Sequence, residues 1–186
     1  MRFTVRASLY IKAPRRVVYS ALAGYRQYER WVPDIVRSRL LAREGELAIA
    51  EFLAPPYGND KLLLEFVESK PDSVVFNQVD RLRQDGVFGR FELTESPDAA
   101  GTLVRALLGA KAGMLRLGCR KRLRRALKRT TEALTDRAIK LLTSGLSDAP
   151  DQRAKVMEID IGGNEVTMRV GKRTYELVRK GGEAEA

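Results

Sequence analysis

"RFTVRASLYIKAPRRVVYSALAGYRQYERWV", Arg2 to Val32, changes its period once, and that change decides the fold. Phe3, Val5, Ala7, Leu9 and Ile11 fall on one side, and Arg2, Thr4, Arg6, Ser8 and Tyr10 on the other. A period of two is that of a strand with one dry face. After Pro14 the apolar residues Val17, Val18, Ala21 and Leu22 follow helical spacing, with Gly24 where a helix would stop. Tyr25 to Val32 reads as a second short helix, ended by Pro33.

Working outward, six further short strands are expected over residues 36–44, 47–54, 61–69, 73–81, 87–95 and 101–109. Their separators, "EGE", "PPYGND", "KPD", "RQDG" and "SPDAAG", are turn chemistry. Connections this short cannot carry parallel crossovers, so the strands form an antiparallel meander. A long helix follows, from about residue 112 to 144, with Leu115, Cys119, Leu123, Leu127, Thr130, Leu134, Ala138 and Leu141 in one arc. Residues 144–155 look like a linker. "VMEIDI-GGN-EVTMRV-GK-RTYELVRK" then gives three more short strands, too small to be stable alone. That sheet is expected to dock on the main domain or on a second copy of the chain, which would make a homodimer. Residues 181–186 are a polar tail.

Composition narrows the chemistry. With 186 residues, 44% hydrophobic and 31% charged, the chain has the core of one ordinary domain plus a small appendage. It has no histidine and one cysteine, Cys119, so Ser-His and Cys-His nucleophile pairs, an internal disulfide and a paired-Cys zinc site are excluded. No metal or cofactor is expected. No run of eighteen apolar residues is present, and the alternating N-terminus lacks an export signal. The expectation is a cytoplasmic protein, with peripheral membrane contact left open.

The net charge is +10, and it is concentrated. Between Met114 and Gly145 ten Lys/Arg stand against two acids, so this segment carries +8. Lys121, Arg122, Arg124, Arg125, Lys128 and Arg129 spread over the helix face opposite the apolar arc. An anionic membrane gains about 1 kcal/mol from each such cation, and an acidic protein is the other partner such a face suits. Stacking aromatics are missing between Leu115 and Lys172, as are base-reading Asn and Gln on the helix. Specific nucleic-acid binding is therefore disfavoured, and sequence-independent attraction to phosphate remains.

"YIKAPRRVVYSALAGYRQYERWVPDIVRSRLL", residues 10–41, resembles the opening of the START-like (SRPBCC) helix-grip superfamily. That group includes polyketide cyclases, coenzyme Q-binding proteins, ribosome-associated proteins and pollen allergens. The matching pieces are Ile11–Tyr19, Tyr28–Pro33, "GRFEL" at 89–93 and the final long helix, so the resemblance covers about residues 3–143. It implies an α+β helix-grip fold: a curved seven-strand antiparallel sheet around a long C-terminal helix, with two short helices after strand 1. The three-strand C-terminal β appendage lies outside the pattern. The domain organisation expected is residues 1–145 for ligand binding, 146–154 as linker and 155–180 as appendage.

The sheet and the helix stripe would enclose a dry hollow, expected at several hundred Å³. Charged residues Glu51, Glu65, Arg90, Glu92 and Arg105 fix the outward parity. Phe52, Leu64, Phe66, Phe76, Phe91, Leu93, Val104 and Ala106 then face inward, opposite Leu123, Leu127 and Leu134. With Tyr28 and Trp31 at the sheet end, these are the candidate ligand contacts. Polar candidates are Tyr19 and either Asn77 or Gln78, while Arg116 and Arg137 intrude on the apolar arc. The leading expectation is binding or transport of a lipid, quinone or polyketide-like molecule. A polyketide cyclase or aromatase, or a ribosome-associated protein, is the alternative.

Overall fold

The computed structural model describes residues 2–55, 61–79, 86–97, 101–111 and 119–145, and three further strands within 159–178. Strand β1 (Arg2–Ile11) is followed by helix α1 (Arg15–Ala23), a 3₁₀ turn (Tyr25–Gln27) and the single-turn helix α2 (Tyr28–Trp31). Strands β2 (Arg37–Glu44), β3 (Leu47–Leu53), β4 (Lys61–Ser69), β5 (Ser73–Gln78), β6 (Gly86–Glu95) and β7 (Thr102–Lys111) come next, then helix α3 (Cys119–Ser144).

The seven strands make one antiparallel sheet in the order β1-β7-β6-β5-β4-β3-β2. Consecutive strands β2 to β7 are neighbours, as the short connections require. β1 and β2 hold opposite edges, so α1 and α2 must carry the chain from one edge to the other. The sheet is curved, and α3 packs on β1, β7 and α1. This is the helix-grip arrangement.

Local chemistry explains the elements. Pro14 occupies the N-cap of α1, and its carbonyl accepts from the Val17 and Val18 N–H groups. Gly45, at φ +55°, supplies the left-handed residue of the β2–β3 hairpin turn. Ile11, Val18 and Leu22 are fully buried, so strand and helix present their apolar sides to one core. Gly89 of β6 lies opposite Phe76 of β5, and a Cβ there would stand 2.7 Å from the Leu107 carbonyl oxygen and inside the Phe76 ring. The glycine therefore makes room for a ring that crosses it.

Several boundaries differ from the sequence reading: β5 ends at Gln78, short of the expected 81, and the expected second helix is a 3₁₀ turn followed by the single-turn α2. β7 continues to Lys111, two residues beyond expectation, because its ladder with β1 runs as far as Arg2. α3 begins at Cys119, and residues 112–118, including Leu115 and Arg116, lie outside the described residues. The C-terminal segment forms β8 (Ile159–Gly162), β9 (Glu165–Val170) and β10 (Arg173–Val178), an antiparallel sheet in the order β10-β9-β8. The expected linker, residues 146–154, and the tail fall outside the described residues.

Candidate functional site

A ridge of aromatic rings crosses four adjacent strands on the inner face. Phe52, Phe66, Phe76 and Phe91 follow one another from β3 to β6, with centroids 6.0, 5.8 and 6.4 Å apart. The alternation of each strand sends these rings inward, while Glu51, Glu65, Arg90 and Glu92 take the other face. Tyr28 stacks on Phe52 at 5.4 Å and meets the edge of Trp31 at 5.0 Å.

Over this ridge lies a cavity of about 120 Å³, bounded by Tyr28, Trp31, Val32 and Ile35 at one side and by Leu127 and Thr130 of α3 at another. The remaining lining comes from Leu22, Phe52, Leu62, Leu64, Phe66, Val74, Phe76, Val87, Phe91, Leu107 and Leu108. Among these lining residues only Tyr28, Trp31 and Thr130 carry a polar side-chain atom. The Tyr28 hydroxyl donates to the Leu22 carbonyl at 2.5 Å. The Trp31 indole Nε1 is buried with no hydrogen-bond partner among the described residues.

The hollow is smaller than the several hundred Å³ expected, because the large rings of the ridge fill much of the trough. Of the candidate contacts, Tyr28, Trp31, Phe52, Leu64, Phe66, Phe76, Phe91 and Leu127 line it. Leu93, Val104, Ala106, Leu123 and Leu134 are buried in the core but lie outside the lining. The reason is the placement of the helices: α1 covers part of β6, and α3 covers part of β7. Leu62, Val74, Val87 and Leu108 share the inward parity of the chosen residues and were legible by the same alternation. Val32 stands at the end of the expected second helix, just past α2, and Ile35 lies in the irregular segment that follows.

The polar candidates sit elsewhere. Asn77 is exposed, and Gln78 accepts from the Val87 N–H at 3.0 Å through its side chain. Arg137 donates to the Gln27 side-chain carbonyl. Tyr19 donates to Glu68, which the sequence reading did not single out.

Glu68 is the central group of a buried polar cluster. Its carboxylate is fully buried, accepts hydrogen bonds from Tyr19 and Tyr25 (2.9 Å for the latter) and pairs with the Arg43 guanidinium. Lys70 Nζ stands 3.8 Å away. Arg43 also donates to the Ala23 carbonyl at 3.1 Å and lies 5.3 Å from the centre of the Tyr25 ring. Its Nε and Nη1 are buried without a partner among the described residues. The signal for Glu68 was present: it occupies the inward parity of Leu62, Leu64 and Phe66 in β4. Burial pushes the phenols of Tyr19, Tyr25 and Tyr28 above the ordinary tyrosine range, with the Glu68 charge adding to the rise. They therefore stay neutral donors. The cluster joins α1 and the 3₁₀ turn to β2 and β4, and it does not line the cavity.

The outer face of α3 exposes Arg120, Lys121, Arg122, Arg124, Arg125, Lys128 and Arg129. Arg129 pairs with Asp34 at 2.8 Å and Lys128 with Glu132 at 3.8 Å. The other five have no carboxylate partner among the described residues. Arg6 of β1 joins Arg124 and Lys128 along a groove between β1 and α3. Among the described residues no group of acidic or cysteine side chains is placed to hold a metal ion, and no helix is long and apolar enough to cross a membrane.

No family model and no curated protein matches the sequence. Solved structures do match the fold. A START superfamily protein from Mycobacterium smegmatis is 17% identical, with 74% of this chain and 98% of that chain covered and a TM-score of 0.62. The Zhui aromatase/cyclase from Streptomyces sp. R1128 is 14% identical, with 80% and 98% covered and a TM-score of 0.59. The di-domain aromatase/cyclase BexL from the BE-7585A biosynthetic pathway is 18% identical at a TM-score of 0.59, covering 75% of this chain, which spans about half (49%) of that protein. The chain thus has the START-like, SRPBCC-type helix-grip fold.

Proposed function

We propose that this protein binds an apolar small molecule in the cavity between sheet and α3, and that the basic face of α3 holds it against an anionic lipid surface. The observation that carries the first part is the cavity itself. Its lining is aliphatic and aromatic, and an apolar space of about this size takes up ligands such as a single aromatic ring. A larger lipid or polyketide-like molecule would enter by displacing lining side chains.

The second part rests on electrostatics. α3 has no acidic residue in its first turn, yet five cations without a carboxylate partner among the described residues crowd its N-terminal half. Cations at a helix N-terminus oppose the macrodipole and cost stability. An anionic surface at that end would offset both the dipole and the mutual repulsion of the side chains.

A cyclase is the second reading, favoured by the structural neighbours named as aromatase/cyclases. Fold alone does not carry chemistry, and cyclisation needs a proton donor and acceptor at the substrate. The described lining holds no carboxylate or amine, and its one phenol is committed to the Leu22 carbonyl. Binding is the reading the geometry favours.

Native mass spectrometry of freshly purified protein, with solvent extraction of bound material, tests the reading. An apolar compound lost on Leu64→Trp, which fills the cavity, supports it. A bare protein mass, together with unchanged Trp31 fluorescence on titration with small aromatic hydrocarbons, overturns it; Trp31 is the sole tryptophan.

A further inference from the structure

The two edges of the sheet differ. At β2 the ladder with β3 shifts register between Leu40 and Ala42, and the Ser38 N–H donates to the Glu29 carboxylate at 2.8 Å. A bulge and a donor answered by a side chain both blunt an edge against further pairing. β1 has neither. It runs ten residues in unbroken register with β7 and pairs with no other strand among the described residues. Every second residue of β1 therefore turns its N–H and C=O groups away from β7. Arg6, Ala7, Ser8, Leu9 and Tyr10 line a groove of about 400 Å³ against α3. Residues of both faces take part, so the groove follows the free edge of the strand.

We propose that this groove receives an extended acidic segment of a partner protein, which joins the sheet as a further strand beside β1. The opposite wall is the α3 stripe Arg124, Lys128, Thr131 and Thr135. Arg6 to Tyr10 span about 14 Å as strand, and Arg124 to Thr135 about 17 Å as helix, so the walls match over about five residues of extended chain. Arg6 and Arg124 have no carboxylate partner among the described residues, and Glu132, the one acid in the lining, is engaged by Lys128 at 3.8 Å. The Thr131 and Thr135 hydroxyls donate to carbonyls of α3 itself, at 2.8 and 3.1 Å. The groove thus offers main-chain hydrogen bonding and positive charge, which an extended chain with acidic side chains complements. A second copy of β1 is disfavoured, because pairing like edges sets the Arg6, Arg124 and Lys128 of each copy against those of the other. The inference is independent of any ligand in the cavity.

The probe is an acetylated, amidated hexapeptide of alternating aspartate and valine, titrated into the ¹⁵N-labelled full chain. In the free protein one alternate set of β1 amides between Arg6 and Tyr10 is expected to exchange slowly, held by β7, and the other set fast. The peptide is expected to slow the fast set. N-methylation of the aspartates strips the donors from one edge of the peptide, and N-methylation of the valines strips the other. One of these peptides is expected to lose binding and the other to keep it, since an added strand meets β1 along one edge. The Arg6→Gln/Arg124→Gln protein, changed at two exposed positions, is expected to bind the parent peptide about tenfold more weakly, with its circular dichroism unchanged. Absence of binding, equal binding of both N-methylated peptides, or equal binding of a lysine–valine peptide overturns the proposal. So does slow exchange of both amide sets in the free protein: at every concentration it means that the chain covers its own edge, and only at high concentration it means that a second copy does.

Discussion

Removing the charge of Glu68 is expected to cost far more than removing the charge of Arg43, although the two groups are partners. In Glu68→Gln the shape is kept. The Arg43 side chain, 10% exposed, is left as a buried cation facing an amide. Breaking a buried pair from one side costs about 3–5 kcal/mol. The new amide oxygen could still accept from one of the two tyrosine hydroxyls, but the amide cannot serve both as well as the carboxylate does. Arg43→Met is different in kind. The carboxylate keeps its bonds from Tyr19 and Tyr25, with Lys70 Nζ nearby at 3.8 Å. The substitution also deletes Nε and Nη1, two buried donors with no partner among the described residues, whose loss recovers about 1 kcal/mol or more. The expected cost is about 1–3 kcal/mol. Urea unfolding followed by circular dichroism measures both variants. With a slope of about 2 kcal/mol per molar urea, Glu68→Gln moves the midpoint down by about 1.5–2.5 M and Arg43→Met by about 0.5–1.5 M. An Arg43→Met variant as unstable as Glu68→Gln would refute the reasoning, because it would mean that the carboxylate depends on the ion pair rather than on the hydroxyls.

Three further outcomes are expected. The phenols of Tyr19, Tyr25 and Tyr28 have folded-state pKa values raised above the unfolded value of about 10, so their stabilisation is complete below that pH and declines as pH rises past it. Each weakens folding by about 1.4 kcal/mol per pH unit in that range, and the phenolate absorbance of these three should appear only with loss of the circular dichroism signal; ionisation of all six tyrosines in an intact fold would contradict this. Gly89→Ala should displace the Phe76 ring and destabilise by about 1–3 kcal/mol, whereas Gly145→Ala, with open space around the new Cβ, should cost only its strained positive φ; equal stability of Gly89→Ala and wild type would show that the ring has another place to go. Replacing Arg120, Lys121, Arg124 and Arg125 with Gln should weaken sedimentation with phosphatidylserine-containing vesicles by about 100-fold or more, and wild-type binding to neutral phosphatidylcholine vesicles at the same strength would remove the electrostatic basis of docking.

Much of this architecture was readable because alternation is a strong constraint. In β3 and β6, Glu51 and Arg90 could only face outward, which sent Phe52 and Phe91 in, and a one-residue error would have reversed every assignment. The same rule placed Glu68 inward beside Phe66. A carboxylate at that parity ran against the expectation of an apolar face, and its partners, Tyr19, Tyr25 and Arg43, are 25 to 49 residues away in sequence. No local pattern connects them; they meet because α1 and the 3₁₀ turn fold back over β2 and β4. The lining was legible in its strand residues and much less so at Val32 and Ile35, where chain direction is set by tertiary packing. The size of the hollow was not legible, since volume depends on how rings such as Phe66 and Phe76 tilt, at 41° to one another, and not on which residues face in.

The Glu68 cluster and the cavity are separate in space, yet one bears on the other through a short chain of contacts. Glu68 accepts from the Tyr25 hydroxyl, and the Tyr25 ring stacks on Phe66 at 4.0 Å and meets Tyr28 at 5.7 Å. Tyr28 is fixed again by its bond to the Leu22 carbonyl, and its ring then sets the edge contact with Trp31. Each link holds the next aromatic in one orientation, and the last of them, Trp31, stands in the cavity wall. A single-turn helix such as α2 has almost no stability of its own. The buried carboxylate anchors this segment through Tyr25, whose ring meets both Phe66 and Tyr28.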